Sequence, residues 1–249
     1  KTLLDGAFGS WTGTGEPAPA VPPAPQVKGR SIWIVDVPEA AQSEIRIGRV
    51  GAARSTPDFF PILVANTMLG GSFTSRLNQN LREQHGYAYG AGSAFDFRLS
   101  TGPFFASGAV QTDKTAPALA EFFKELEGMR RPAGEEELSR ARNYLALRYP
   151  RGFETTGQLV ARLEAKVVYG LPDDYFTTYM DRIARVSAED VGRVAAKYAE
   201  PSSSAVIVVG DRKKIEPGIR ALNLGPVRVF TVDQILGPAK AAGPGGKSK

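Results

Sequence analysis

From Tyr87 to Arg98 the sequence takes on a period of two. Tyr87, Tyr89, Ala91, Ser93, Phe95 and Phe97 fall on one face, and Ala88, Gly90, Gly92 and Ala94 on the other. The small face predicts close approach by another element. Phe104–Thr112 follows after a short turn as an apolar antiparallel partner. This pairing commits the middle of the chain to a sheet with antiparallel neighbours.

Strands are also predicted at Ser31–Val37, Ser43–Val50, Ser204–Val209 and Val227–Val232, where β-branched residues cluster or alternate with polar ones. Between them lie helical patterns. One starts at Pro57 and runs to about Leu69, where Gly70-Gly71 breaks it. A second, from about Thr74 to His85, sets Phe73, Leu77 and Leu81 on one stripe, with Gly86 as its cap. Leu119, Phe122, Phe123, Leu126 and Met129 mark another. Glu135–Tyr149, Thr156–Tyr169, Tyr175–Val186 and Ala188–Tyr198 follow. The expected fold class is α+β: a mostly antiparallel sheet with helices packed on one face.

The chain has 249 residues, 42% hydrophobic and 23% charged, which is enough to bury a full core. It contains one histidine, His85, and no cysteine. Disulfides, thiolate zinc sites and cysteine nucleophiles are thereby excluded. Helical zinc-hydrolase motifs need two histidines and a glutamate, so metal-assisted hydrolysis by this chain alone is excluded as well. His85 reads as a polar residue at a helix end. The net charge of +5 includes Lys240, Lys247 and Lys249 near the chain end, and no basic stripe interleaves with aromatics. Nucleic-acid binding is not expected. No apolar run reaches the roughly 18–20 residues of a membrane span. No signal peptide is visible, and both cytoplasm and periplasm are permitted.

Four regions are expected. Residues 1–15 read as the remnant of a preceding domain, and 16–30 as a proline-rich, semi-rigid linker. Residues 31–236 form the main domain, and 237–249 a flexible Gly/Ala/Pro/Lys tail. Lys1 is not a natural start, which suits a trimmed or processed fragment.

The segment from Asn66 to Tyr89, NTMLGGSFTSRLNQNLREQHGYAY, resembles the C-terminal domain of the pitrilysin/insulysin-like zinc metallopeptidases, the inverzincins related to the mitochondrial processing peptidase. Further similar stretches are GFETTGQLVARL from Gly152, VVYGLPDDYFTTYMDRIARVSAEDV ending at Val191, and AVIVVGDRKKI ending at Ile215. The run AFGSW at residues 7–11 resembles the end of the preceding domain in that family. The resemblance extends from about Arg30 to Val232.

It implies a bacterial-type, processing-peptidase-like protein in which two similar α+β halves close around a peptide. The other half carries the zinc motif; this half, which holds no metal, supplies an arginine and, seven positions on, a tyrosine that reach the substrate. Arg82 and Tyr89 stand at that spacing. The expected partners are therefore a zinc-bearing N-terminal domain or subunit and a peptide substrate, with zinc in the partner half and this chain inactive alone. A glycine loop matching Gly70 and Gly71 lies near the chamber in the family.

Each residue also has a structural reading. Arg82 suits the last turn of its helix and is placed to pair with Glu83. Tyr87 shares the face of Tyr89 and is chemically its equal; only the offset from Arg82 separates them. Gly70-Gly71 lacks a phosphate-loop pattern and reads as a helix break. Arg76 reads as a solvated or salt-bridging residue, Glu135-Glu136-Glu137 as acids complementing a helix dipole, and Asp173-Asp174 as a helix cap. The alternative function is a structural or peptide-binding subunit of the same fold without catalysis.

Overall fold

A computed structural model describes residues 1–13, 15 and 21–237. The elements run α1 (Thr2–Phe8), β1 (Ser31–Asp36), β2 (Gln42–Val50), α2 (Phe59–Asn66), α3 (Arg76–Asn78), β3 (Ala88–Phe95), β4 (Pro103–Gln111) and α4 (Thr115–Gly128). They continue as α5 (Glu135–Arg148), α6 (Thr156–Val168), α7 (Tyr179–Ala184), α8 (Ala188–Tyr198), β5 (Ala205–Gly210), α9 (Arg212–Ala221), β6 (Val227–Thr231) and α10 (Val232–Leu236). Residues 16–20 of the expected linker and 238–249 of the expected tail lie outside the described residues. Residues 21–28 form neither helix nor strand.

The strands make one six-stranded sheet in the order β3-β4-β2-β5-β1-β6. β3–β4, β4–β2 and β2–β5 are antiparallel, and of these pairs only β3 and β4 are joined by a short connection. β1 instead runs parallel to both β5 and β6. The sheet is thus mixed. Parallel neighbours need long crossovers, and here the chain between β1 and β5, then α9 between β5 and β6, supplies them.

Alternation sets which side is buried. Ile32 and Ile34 of β1, Ile45 and Ile47 of β2, and Val206 and Val208 of β5 point into the core. α4 packs against β2 and β4, α9 against β1 and α2 against β3, with α5, α7 and α8 stacked around α2. Phe122 of α4 is fully buried, and each such side chain contributes about 1.5–3 kcal/mol. The opposite side of the sheet carries Arg46, Phe105 and Ile207 around a cavity of about 390 Å³, edged by Ala24 and Val27.

Local signals explain several helices. Ser187 and Asp190 form a reciprocal capping box at the start of α8, as do Thr155 and Gln158 at α6. α6 nevertheless buries none of its residues, and it exposes Leu159, Val160, Leu163 and Val167. α9 contains Pro217 and Gly218, which disguise it in the sequence, since proline removes a helical donor and glycine weakens the helix. The predicted helix over 175–186 shortens to α7, because the preceding residues form a turn around the Asp174 carbonyl. Asp173 and Asp174 do not cap it: Asp173 pairs with Lys166 at 2.6 Å, and Thr178 occupies the cap position.

The segment before β3 departs most from expectation. α2 runs on as a π-helical turn over Thr67–Gly71, and α3 continues as a second over Gln79–Gln84. Leu77 and Leu81 are fully buried, as their spacing predicts. Phe73 is not on that stripe. It precedes α3 in a turn and is 61% exposed. Gly70 abuts the backbone of β3: a Cβ there would collide with the Ser93 amide, and one at Gly92 would stand 2.9 Å from the Gly70 carbonyl oxygen. This contact is the close approach that the small residues of β3 predict.

Candidate substrate-gripping site

The site grows from the junction between the second π-helical turn and β3. The chain leaves the helix at His85 and turns through Gly86, whose φ of 62° suits glycine. The Gly86 amide donates to the Arg82 carbonyl at 3.0 Å, and the Tyr87 amide to the Leu81 carbonyl at 2.8 Å. Tyr87 is thereby tied to the helix end. Its ring stacks on His85 at 4.8 Å between centroids and packs against the core.

β3 then bulges. Ala88 pairs with Val110 and Ala91 with Gly108, so three steps on β3 match two on β4. The extra residue falls at Tyr89-Gly90, and bulges re-aim side chains in this way. The single-face alternation predicted from Tyr87 to Phe97 is broken there. Ala88, Ala91 and Phe95 pack against the core, whereas Tyr89 stands 87% exposed on the edge strand.

Arg82 meets Tyr89 at this edge. Its guanidinium carbon lies 5.3 Å from the Tyr89 ring centroid and 4.7 Å from that of Phe73. Its Nε is 3.3 Å from Glu83 Oε1, the local ion pair that the sequence allows. Each cation–π contact at an exposed site stabilises by about 0.5–1 kcal/mol. The result is a guanidinium within cation–π distance of two rings, on a side chain that is 33% exposed. The structure brings Arg82 and Tyr89 together; Tyr87 is engaged with His85 instead.

Phe73 was not legible as part of this group, because its spacing mimics a buried stripe. Its support comes from Asn78, a buried side chain whose Nδ2 donates to the Phe73 carbonyl at 2.7 Å and whose Oδ1 accepts from the Ala91 amide at 3.4 Å. One carboxamide thus couples the Phe73 turn to the strand just past the bulge. Beneath it, Asn80 Nδ2 donates to Glu121 and Glu125 of α4 at 2.7 and 2.6 Å. Burial pushes the Glu121 carboxyl up, yet hydrogen bonds from Lys124 and Asn80 outweigh it and hold the group below its usual range.

Arg76 forms two hydrogen bonds of 2.6 Å with Glu137, so it is salt-bridging within the domain. Gly70 and Gly71 lie behind β3, and Gly71 stands against Asn66. Among the described residues, no group of three or more His, Cys, Asp or Glu side chains is arranged to hold a metal ion. With one histidine and no cysteine, the donor set does not fit zinc. No helix among these residues is long and apolar enough to cross a membrane.

A family model described as the peptidase M16 inactive domain matches residues 1–145. The chain belongs to that family. Among curated relatives, this M16 inactive domain is 26% identical to the non-peptidase homolog YmxG of Helicobacter pylori over 152 residues, 59% of this chain and 34% of that protein. It is also 26% identical to an uncharacterized zinc protease of Mycobacterium bovis over 188 residues, 74% of this chain and 43% of the relative. The chain thus spans less than half the length of either relative. Its fold matches the solved M16 inactive domain from Pseudomonas fluorescens with a TM-score of 0.71 at 24% identity, covering 78% of this chain and 47% of that one. A protease from Helicobacter pylori matches with a TM-score of 0.74 at 18% identity, covering 84% and 51%.

Proposed function

We propose that this M16 inactive domain is the substrate-gripping half of a two-part zinc peptidase, and that Arg82 and Tyr89 hold the peptide beside the scissile bond. The observation that carries this reading is the exposed Arg82–Tyr89–Phe73 cluster on the edge of the sheet. A guanidinium and a phenol are hydrogen-bond donors suited to a peptide carbonyl or the oxyanion that develops from it. The rings limit where the guanidinium can go, which favours a fixed donor over a swinging one. The hydrolytic chemistry belongs to a zinc-bearing half, supplied by the same polypeptide or by another subunit.

Two surfaces support the need for such a half. The apolar residues of α6 and the open sheet side around Phe105 and Ile207 are the kind of area that partners cover. The relatives named as zinc proteases are more than twice as long as the matched segment, leaving room for a second half in those proteins.

A second reading, a non-catalytic structural or peptide-binding subunit, is favoured by the relative named a non-peptidase homolog. Reconstitution separates them. The chain is combined with a zinc-bearing half taken from its own or a neighbouring reading frame, and cleavage of a quenched fluorescent peptide is followed. Cleavage that needs both parts supports the peptidase reading; a pair that forms and never cleaves supports the other.

A further inference from the structure

A second cavity, of about 510 Å³, opens between α2, α5, α6 and α7. Its wall includes three arginines, Arg148, Arg151 and Arg162, together with the rings of Tyr149 and Tyr179 and the side chain of Leu145. Arg162 lies in the GFETTGQLVARL stretch, which the Arg82–Tyr89 site leaves unused.

The arginines are uncompensated. Among the described residues, none of the three comes within 4.0 Å of a carboxylate oxygen. Others nearby are paired: Arg140 with Glu136, Arg142 with Glu135, and Arg182 with Asp174. Clustered like charges repel, so this arrangement carries an electrostatic cost that a bound anion would remove.

The tyrosines offer no countercharge. Burial pushes the Tyr179 hydroxyl up to about 12 and raises Tyr149 against the pull of Arg162. Both stay neutral at ordinary pH. Their rings stack at 4.1 Å with an interplanar angle of 6°, forming a flat apolar wall.

Arg162 is also held in place. Its guanidinium lies over the Phe153 ring at 5.4 Å and the Tyr149 ring at 6.0 Å. It sits so close above Gly152 that a Cβ there would stand 2.9 Å from its central carbon. Arg148 is oriented by a hydrogen bond to the Tyr144 hydroxyl. Positioned guanidinium forks match carboxylates in a bidentate manner. The cavity volume falls within the range of small-ligand sites, and its aromatic side suits an apolar group.

We infer that this cavity binds a peptide carboxylate flanked by an apolar or aromatic side chain. The site is separate from the Arg82–Tyr89 cluster, and its test requires neither a zinc half nor cleavage. The carboxylate comes from a chain terminus or from an acidic side chain, and the probes distinguish these.

Calorimetric titration of the full chain uses four probes: N-acetyl-Ala-Phe, N-acetyl-Glu-Phe-amide, the neutral N-acetyl-Ala-Phe-amide and inorganic phosphate. At least one acidic peptide is expected to bind saturably and about tenfold or more tighter than the neutral amide, and the stronger acid identifies the source. Arg162→Gln and the exposed Arg148→Gln should each weaken that binding about tenfold with the circular dichroism spectrum unchanged. Acidic peptides binding no tighter than the amide, affinity unaltered in a folded Arg148→Gln protein, or phosphate matching the best peptide would each overturn the assignment.

Discussion

Arg76 and Glu137 are joined by two hydrogen bonds of 2.6 Å, linking α3 to the first turn of α5. Both side chains are about a quarter exposed, at 23% and 24%, so water screens the pair only partly. Donating to Glu137 also holds the Arg76 guanidinium above its usual range. This clamp fixes the helix that leads to Arg82. Arg76→Gln should lower unfolding free energy by about 1.5–3 kcal/mol, measured by urea denaturation. A double-mutant cycle with Glu137→Gln should return a coupling of similar size, and additive losses would show that the pair does not act as a unit.

Gly70 and Gly157 should respond in opposite directions to alanine. At Gly70 the new methyl group meets the β3 backbone at Ser93 and Gly92, neither of which has a flexible end to swing aside. Overpacking of this kind costs about 1–3 kcal/mol. Gly157 lies in the first turn of α6, where an added methyl group would meet nothing within 4 Å. Gly157→Ala should therefore stabilise by up to about 1 kcal/mol through helix propensity. Thermal melts of the two variants check the contrast.

Asp58 predicts acid sensitivity. Its carboxylate accepts from Arg193 at 2.7 Å, Lys197 at 3.0 Å and Tyr198 at 2.7 Å, pinning the start of α2 to α8. Burial alone would raise its pKa, but these three donors outweigh burial and bring it from 3.8 to about 2. A carboxyl whose folded pKa is depressed stabilises the fold above its unfolded pKa. That contribution, about 2 kcal/mol, is lost as pH falls from about 4 toward 2. Asp58→Asn should be less stable at pH 7 and lose less further stability over that window. Equal slopes for the two proteins in denaturation at pH 5 and pH 2.5 would contradict this.

Much of the fold was legible because its signals are local. The alternation of Ile45 and Ile47 marks β2, and the four-residue spacing of Leu77 and Leu81 marks a buried helical stripe. Other features depend on partners distant in the chain. Hydrophobic periodicity carries no strand direction, so the parallel setting of β1 between β5 and β6 could not be read from it. The bulge at Tyr89-Gly90 is a mismatch in pairing with β4, not a property of β3 alone. Phe73 keeps a four-residue spacing to Leu77, yet it lies in the turn before α3, where helical spacing no longer determines direction. The Arg82–Tyr89 offset was visible in the sequence; the third member of the group was not.

Phe73 provides a prediction of its own. If its ring limits the motion of Arg82, Phe73→Ala should weaken peptide cleavage in the reconstituted pair while lowering stability by no more than about 1 kcal/mol, the size of the one cation–π contact it removes. Phe73→Tyr, which keeps a ring, should restore the rate. A rate insensitive to both changes would remove Phe73 from the site.

On the proposed reading, Arg82 and Tyr89 act as donors to the bound peptide. The direct test is steady-state cleavage of a quenched peptide by the zinc half paired with wild-type, Arg82→Ala, Tyr89→Phe or Tyr87→Phe chain, with pairing and folding verified for each. Arg82→Ala and Tyr89→Phe should lower kcat by about 10²–10³, the usual loss for one transition-state donor, while Tyr87→Phe stays close to wild type. Wild-type rates in Arg82→Ala and Tyr89→Phe, or a loss confined to Tyr87→Phe, would contradict it.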